Sequence, residues 1–399
     1  MSDAAWLTIV GIGEDGPEGL PPASLKALQN AQMIFGAKRH LALLSADLAI
    51  KGSEWPIPFE DGIAPLLAQK GSPTVMLASG DPFWFGAGSV ITRHLDAGEW
   101  RTLTTPSSFS LAAAHLSWPM EQLICHGLHA APFERMRRDL QPGQRLLVTL
   151  RNGTSASELA TYLLSLGLGG SMLHILEALG GPRMRHRSIL ANDYDLKDVA
   201  HPVMMAIHVH GHKAISLASG QDDAIFENDG QITKRPVRAL TLSALAPRAG
   251  EMLWDIGSGS GSIAIEWLLC HPACNAVSIE QNQTRSQRIS SNAKNLGADR
   301  LKVVTGAAPS CLEALPMPNA VFIGGGLSQD LLETLDVHLP KGTRLVANAV
   351  TLESEALLTS WRERLGGGLM RINLSHAETL GSKYCWNASY PIVQWSVIL

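Results

Sequence analysis

The 399-residue chain has no apolar run that approaches membrane-spanning length, so a helical membrane protein is excluded. Its start, Met1-Ser2-Asp3-Ala4-Ala5-Trp6, lacks the basic region of a secretory leader, and no signal peptide is visible. Cysteine is scarce: five residues, an odd number without framework spacing, suit a protein of the reducing cytoplasm. Positive charge is not in excess, since 32 Lys and Arg against 36 Asp and Glu leave a formal charge of −4. That balance argues against broad nucleic-acid binding, while an anionic small substrate needs only a local group of arginines. No lysine completes a phosphate-binding P-loop in either N-terminal glycine loop, 11–16 or 80–86. Nor does a His-Asp or Cys-His catalytic constellation stand out.

What is present begins with Asp255-Ile256-Gly257-Ser258-Gly259-Ser260-Gly261, between an apolar strand (252–254) and a helical pattern (262–268). Three glycines there let the backbone turn tightly and approach a ligand without a Cβ in the way. Glu280 closes the next predicted strand, 275–279, where a carboxylate can accept both ribose hydroxyls of a nucleoside cofactor. A dinucleotide site spaces its glycines G-x-G-x-x-G, with the third falling at Ser262; here the spacing is G-x-G-x-G. Asp255 would meet a pyrophosphate with an unwelcome charge and suits a cation such as the sulfonium of S-adenosylmethionine. The run resembles motif I of the seven-strand, Rossmann-like methyltransferases.

The chain length is enough for two or three domains, and 45% hydrophobic residues for a substantial core. A change of composition near 211–230 divides it into an N-terminal domain (1–210), a linker (211–225) and a C-terminal domain (226–399). After the linker, strand-like runs lie near 251–256, 275–280, 301–305, 319–323, 343–348, 369–375 and 391–398. The first five are separated by helix-length segments, as a doubly wound parallel α/β sheet requires, and the last reads as an antiparallel closing strand. The N-terminal half is also α/β, with strands at 7–10, 74–79, 145–150, 172–177 and 203–209 and a helix from Ala23.

The segments V-G-I-G-E-D-G (10–16), S-G-D-P-F-W-F-G (79–86), T-P-S-S (105–108) and L-E-A-L-G-G-P (176–182) resemble the tetrapyrrole methylases of corrin synthesis. D-G-Q-I-T-K-R-P-V-R-A-L (229–240), F-I-G-G-G (322–326) and V-A-N-A-V-T-L-E-S-E (346–355) resemble the decarboxylating precorrin methyltransferases. One departure is Pro106-Ser107-Ser108, where the first family more commonly has glycine before serine. The resemblance implies a two-part tetrapyrrole-methylase-like domain followed by a Rossmann-like methyltransferase domain, with one S-adenosylmethionine bound in each. It implies methylation of a precorrin at two meso carbons, C5 by the N-terminal domain and C15 by the C-terminal one, with loss of the ring C acetate carboxylate, in cobalamin synthesis. Homo-oligomers are implied as well; neither a membrane nor a nucleic-acid partner is.

Residue by residue, Gly80 and Asp81 are expected at the N-terminal cofactor site with Ser107 and Ser108. Phe83-Trp84-Phe85 beside them reads partly as an aromatic plug. Gly11 and Gly13 either shape a substrate trough or make a plain turn. In the C-terminal domain Asp255, Gly257, Ser258, Gly259, Ser260, Gly261 and Glu280 are assigned to the cofactor, with Ala307 and Ala308 beside the adenine. Thr233 closes over the cofactor by resemblance, or caps a helix beginning near Pro236; both roles can coexist. Lys234 and Arg238, on one helix face beside it, are expected to meet substrate carboxylates, whereas Arg183/Arg185/Arg187 and Arg135/Arg137/Arg138 read as solvated faces. Asn348, Thr351 and Glu353, with Gly324 and Gly325, lie at the carboxyl ends of strands, where ligands sit in such sheets. The first three are candidates for catalysis and the glycines for substrate binding; the glycines and Asn348 also fit a mere turn of the chain. Decarboxylation needs an electron sink, which the conjugated substrate itself supplies. His208-Val209-His210-Gly211-His212 and Cys270-His271-Pro272-Ala273-Cys274 have metal-like spacings but are assigned no metal. A single-activity methyltransferase, or a sensor that binds the cofactor without chemistry, is the alternative.

Overall fold

The computed structural model describes residues 5–399; Met1–Ala4, the beginning of the stretch read as leader-free, lie outside the described residues. The described residues form two compact units: residues 5–133 with 139–213, and residues 134–138 with 214–399. Among the described residues no helix is long and apolar enough to cross a membrane.

The first unit carries two five-stranded sheets. One is wholly parallel, in the order Gly52–Glu54, Met33–Gly36, Thr74–Ser79, Leu7–Ile12, Trp100–Leu103. Leu7–Ile12 is buried along its whole length, as expected of a strand covered on both faces. The other sheet is mixed, in the order Leu123–Gly127, Arg145–Thr149, Val203–His208, Met172–Glu177, Arg185–Leu190, with only the first pair parallel. Five of these ten strands, at 33–36, 52–54, 100–103, 123–127 and 185–190, escape the sequence reading because they are short or carry charge.

The second unit is built on seven strands: β1 Met252–Ile256, β2 Asn275–Glu280, β3 Lys302–Thr305, β4 Ala320–Ile323, β5 Arg344–Ala349, β6 Gly368–Ile372 and β7 Ile392–Ile398. Their spatial order is β3-β2-β1-β4-β5-β7-β6. β1 to β5 run parallel and β7 pairs antiparallel with both β5 and β6. Five helices flank the sheet: α1 Arg235–Leu245, α2 Ser262–Cys270, α3 Gln283–Asn295, α4 Gln329–His338 and α5 Leu352–Leu365. Alternate residues feed two cores. Leu253, Ala276 and Phe322 pack with α1, α2 and α3, while Trp254, Val277 and Val321 pack with α4 and α5. Trp267 and Trp395 are completely buried, and each indole N–H reaches a carbonyl at 3.0 Å, on Asn275 and Gly366. Truncating either to alanine would cost about 3–5 kcal/mol.

Two details differ from the sequence reading. The run near 369–375 is two elements, because β6 ends at Ile372 and a hairpin of Ser375–Leu380 with Lys383–Ala388 follows. Residues 214–225 belong to the second unit rather than standing free: the Gly220 and Gln221 amides donate to Glu266 on α2 at 2.7 and 2.9 Å.

Candidate functional site

The carboxyl ends of β1, β2, β4 and β5 open on a cleft of about 770 Å³. The loop after β1 forms its floor because two of its residues cannot carry a side chain. Gly257 has φ +68°, and a Cβ there would lie 2.6 Å from Gly325. Gly259 has φ +59°, and its Cβ would lie 2.8 Å from the Gln231 carbonyl. Glu280, at the end of β2, is buried yet lines the cleft; its oxygens accept from the Gly259 amide at 2.9 Å and the Asn282 amide at 3.0 Å. A carboxylate has about four lone-pair sites, so these two bonds fix its orientation and leave acceptor capacity.

Of the expected residues, Thr233, Lys234, Gly257, Ser258, Gly259, Glu280, Ala307, Ala308, Gly324, Gly325 and Asn348 line this one cleft. Six others do not. Asp255 is wholly buried beneath the loop, where it accepts the Ala264 amide at 3.1 Å. Gly261, the residue before α2, has no side chain to cap the helix, so Asp255 satisfies the free amide instead. Burial, offset in part by bonds from Ala264 and Ser258, pushes its carboxyl up to about 7. Asp255 therefore supports the glycine loop from beneath and does not line the cleft. Ser260 and Gly261 are buried behind the same turn, Gly261 against Ile289. Thr351 is the N-cap of α5, accepting the Ser354 amide at 3.2 Å, and Glu353 lies exposed in that helix's first turn. Their sequence signal is a helix start.

Arg238 corrects the remaining expectation. It is 0% exposed, and its guanidinium is consumed by Glu266, Asp223 at 3.0 Å, and the carbonyls of Thr233 and Gln221. The Phe226 ring lies 4.9 Å below it. Buried and absent from the cleft lining, it does not face a substrate; Arg238 instead holds Thr233 at the cleft wall. The helix-cap alternative for Thr233 fails, because Lys234 is the N-cap of α1 and makes no side-chain cap bond.

The sequence reading missed the support of Asn348. Its Nδ2 donates to Thr241 Oγ1 at 3.0 Å, and its Oδ1 accepts from Gln394 at 2.9 Å. Gln394 also donates to Thr241 at 3.1 Å, and Thr241 donates to the Val237 carbonyl at 2.9 Å. Tyr390 and Ile392 join the lining as well. No spacing signals these partners, which come from distant elements.

In the first unit a smaller cavity of about 420 Å³ is lined by Asp81, Trp84, Thr104, Thr105, Pro106, Ser107, Ser110 and Met120. Asp81 accepts the Phe83 amide at 2.8 Å, and the Gly80 carbonyl accepts the Thr105 hydroxyl at 3.2 Å. Ser107 caps the helix Ser108–Leu116 through the Ser110 amide at 3.1 Å. Gly80 and Ser108 adjoin the lining without belonging to it. Trp84 and Phe85 stack against buried Phe109 with centroids 6.2 and 5.6 Å apart.

Each of the two α/β units thus carries a cavity beside a strand-end loop, and the comparisons with known proteins place both units among methyltransferases. Residues 6–187 match the tetrapyrrole (corrin/porphyrin) methylases, and residues 224–399 match the precorrin methyltransferase domain. The precorrin-6Y C(5,15)-methyltransferase [decarboxylating] of a Sinorhizobium species is 46% identical over 98% of this chain and 96% of its own. Its namesake from Mycobacterium tuberculosis is 38% identical over 98% and 99%. A crystal structure of the C-terminal domain of the Rhodobacter capsulatus precorrin-6Y C5,15-methyltransferase is 51% identical, covering 46% of this chain and 100% of that one, with a TM-score of 0.45. The chain belongs to the family of precorrin-6Y C(5,15)-methyltransferases (decarboxylating).

Proposed function

We propose that the chain methylates a precorrin twice, at C5 in the first unit and at C15 in the second, and removes the ring C acetate carboxylate in the second. One S-adenosylmethionine serves each unit. The observation that carries the reading is the second-unit cleft, where a glycine floor, Glu280 and Asn348 line one volume. The strand order with its antiparallel β7 supports a Rossmann-like methyltransferase fold.

The residues present fit the cofactor: the floor is a cradle that a Cβ would fill, and Glu280 stands at the end of the second strand with acceptor capacity. When bound, S-adenosylmethionine supplies an electrophilic methyl group to an electron-rich meso carbon. The chain's own work is to position and to exclude water. Glu280 is oriented by two backbone amides before any ligand arrives. Ala307 and Ala308 leave room for a flat group, and Lys234 offers a cation to a substrate carboxylate at the cleft wall. Asn348, its amide fixed by Thr241 and Gln394, presents a rigid polar group for the substrate arm. In the first unit Asp81 and Ser107 line the corresponding volume.

Mass spectrometry of the product from precorrin-6Y and S-adenosylmethionine tests the reading. Two added methyl groups and one lost carbon dioxide are expected. A singly methylated product that keeps its carboxylate would overturn it.

A further inference from the structure

Two groups of arginines in the first unit differ in charge balance. Arg185 and Arg187 share two carboxylates: Glu177 accepts from both at 2.6–2.9 Å, and Asp198 from both at 2.6 and 2.8 Å. That set is neutral and closed. Arg39 and Arg183 share only one carboxylate. Glu14 Oε1 accepts from Arg39, and Oε2 from Arg183 at 3.0 Å. One positive charge is left over.

The leftover charge lies where a ligand of a parallel sheet is expected. Glu14, Arg39 and Ser79 follow or end the strands Leu7–Ile12, Met33–Gly36 and Thr74–Ser79, whose parallel carboxyl ends lie on one edge of the sheet. Arg39 Nη2 donates to Ser79 Oγ at 2.8 Å and to His40 Nε2 at 2.8 Å, and Ser79 is two residues before Asp81 of the neighbouring cavity. Arg183 reaches the same edge from the loop after Met172–Glu177, with 60% of its side chain exposed against 6% for Glu14. The nearby imidazoles do not add to the charge. His40 is pushed down to about 3 by burial and then by Arg39 and His201; His201 is lowered by burial, Arg39 and Arg183. Arg39 itself is lowered to about 10 by burial and then by Arg183. A preformed pair of guanidinium groups with one internal counter-ion matches a carboxylate, which a planar fork binds through two parallel bonds.

We infer that Arg39 and Arg183, held on Glu14, bind a carboxylate side chain of the tetrapyrrole methylated by the first unit. The inference rests on the functional reading above and names the residues that take hold of that substrate. Glu14 is then an internal competitor for the two arginines, which gives the test a sign that a merely structural ion pair does not share.

The experiment uses full-length protein carrying Gly259→Arg, whose long side chain on the floor of the second-unit cleft should block that unit and leave methyl transfer to the first, with precorrin-6Y as substrate. Arg39→Gln and Arg183→Gln should each raise KM about five-fold or more, with kcat and the Kd of S-adenosylmethionine unchanged. Glu14→Gln, which keeps an acceptor but removes the competing charge, should lower KM about three-fold. An unchanged KM in both arginine variants, or a rise of KM in Glu14→Gln, overturns the inference. If Arg39→Gln fails to fold, the exposed Arg183→Gln and Glu14→Gln decide alone. Failure of the unmodified protein to methylate precorrin-6Y would remove the functional reading and this inference with it. Methylation with an unmoved KM would remove this inference only.

Discussion

Arg238 and Glu266 form an ion pair wholly inside the second unit, with side chains 0% and 2% exposed, and between them they fasten Thr233, Gly220 and Gln221. The pair joins the wall of the cleft to the helix that follows the glycine loop. Removing one partner leaves an uncompensated buried charge, whereas apolar replacement of both need not. Glu266→Gln should therefore cost about 3–5 kcal/mol in denaturant unfolding, and Arg238→Met with Glu266→Leu markedly less. Equal losses in the single and double variants would show that the ion pair is not what holds these segments.

Glu280→Ala should weaken only the second-unit cofactor site. Loss of charge-assisted hydrogen bonds costs about 1.5–3 kcal/mol, or roughly ten- to a hundred-fold in Kd. Calorimetric titration should show two S-adenosylmethionine sites in the unmodified protein and one altered site in the variant. A single site in total would contradict the two-site reading.

Asp255 makes stability pH-dependent with a definite sign. Its carboxyl is raised in the folded state to about 7, so the folded chain holds a proton that the unfolded chain has already released. Its contribution is fully present below the ordinary aspartate range near 4 and is lost as pH rises through about 7. Asp255→Asn keeps the acceptor for the Ala264 amide and removes the titration. Unfolding curves between pH 4 and 8 should show the variant gaining on the unmodified protein as pH rises. A pH-independent difference would argue that the buried carboxyl is ionised throughout.

Thr241→Val removes the hydroxyl that accepts from both Asn348 and Gln394. The buried Gln394 amide loses one acceptor, at about 1–3 kcal/mol before relaxation, and the half-buried Asn348 amide loses its acceptor at a smaller cost because it borders the cleft. The Asn348 amide then keeps only its bond from Gln394 and is less firmly oriented, so carbon dioxide release should fall more than cofactor affinity, measured as kcat for decarboxylation against Kd for S-adenosylmethionine. Equal loss of both would indicate general collapse of the cleft.

The second-unit sheet was legible because its signals are local: apolar runs, helix-length spacers, and a glycine turn followed by Glu280. The same locality misled at Thr351 and Glu353, where a helix start and a ligand-binding loop use similar residues. Arg238 was misread for a different reason. A basic residue beside Lys234 suggests an exposed face, and its burial depends on Glu266, which lies 28 positions away and bears no marker in sequence. The support of Asn348 is equally invisible, since Thr241 and Gln394 are 107 and 46 positions from it. Short strands such as Gly52–Glu54 are fixed by their neighbours rather than by their own composition.

The pairing of β5 with β7 sets Asn348 directly opposite Gln394. Because side chains alternate across a strand, moving β7 by one residue would bring Val393 or Trp395 to that position and turn the glutamine to the other face. The closing strand is thus a ruler laid against the site, graduated in single residues. Length changes between Ile372 and Ile392 can be taken up by the hairpin loop, but one inserted or deleted residue between Ile392 and Gln394 would shift the scale. Residues 392–399, distant in sequence from every glycine of the loop after β1, therefore set the alignment of the candidate catalytic amide.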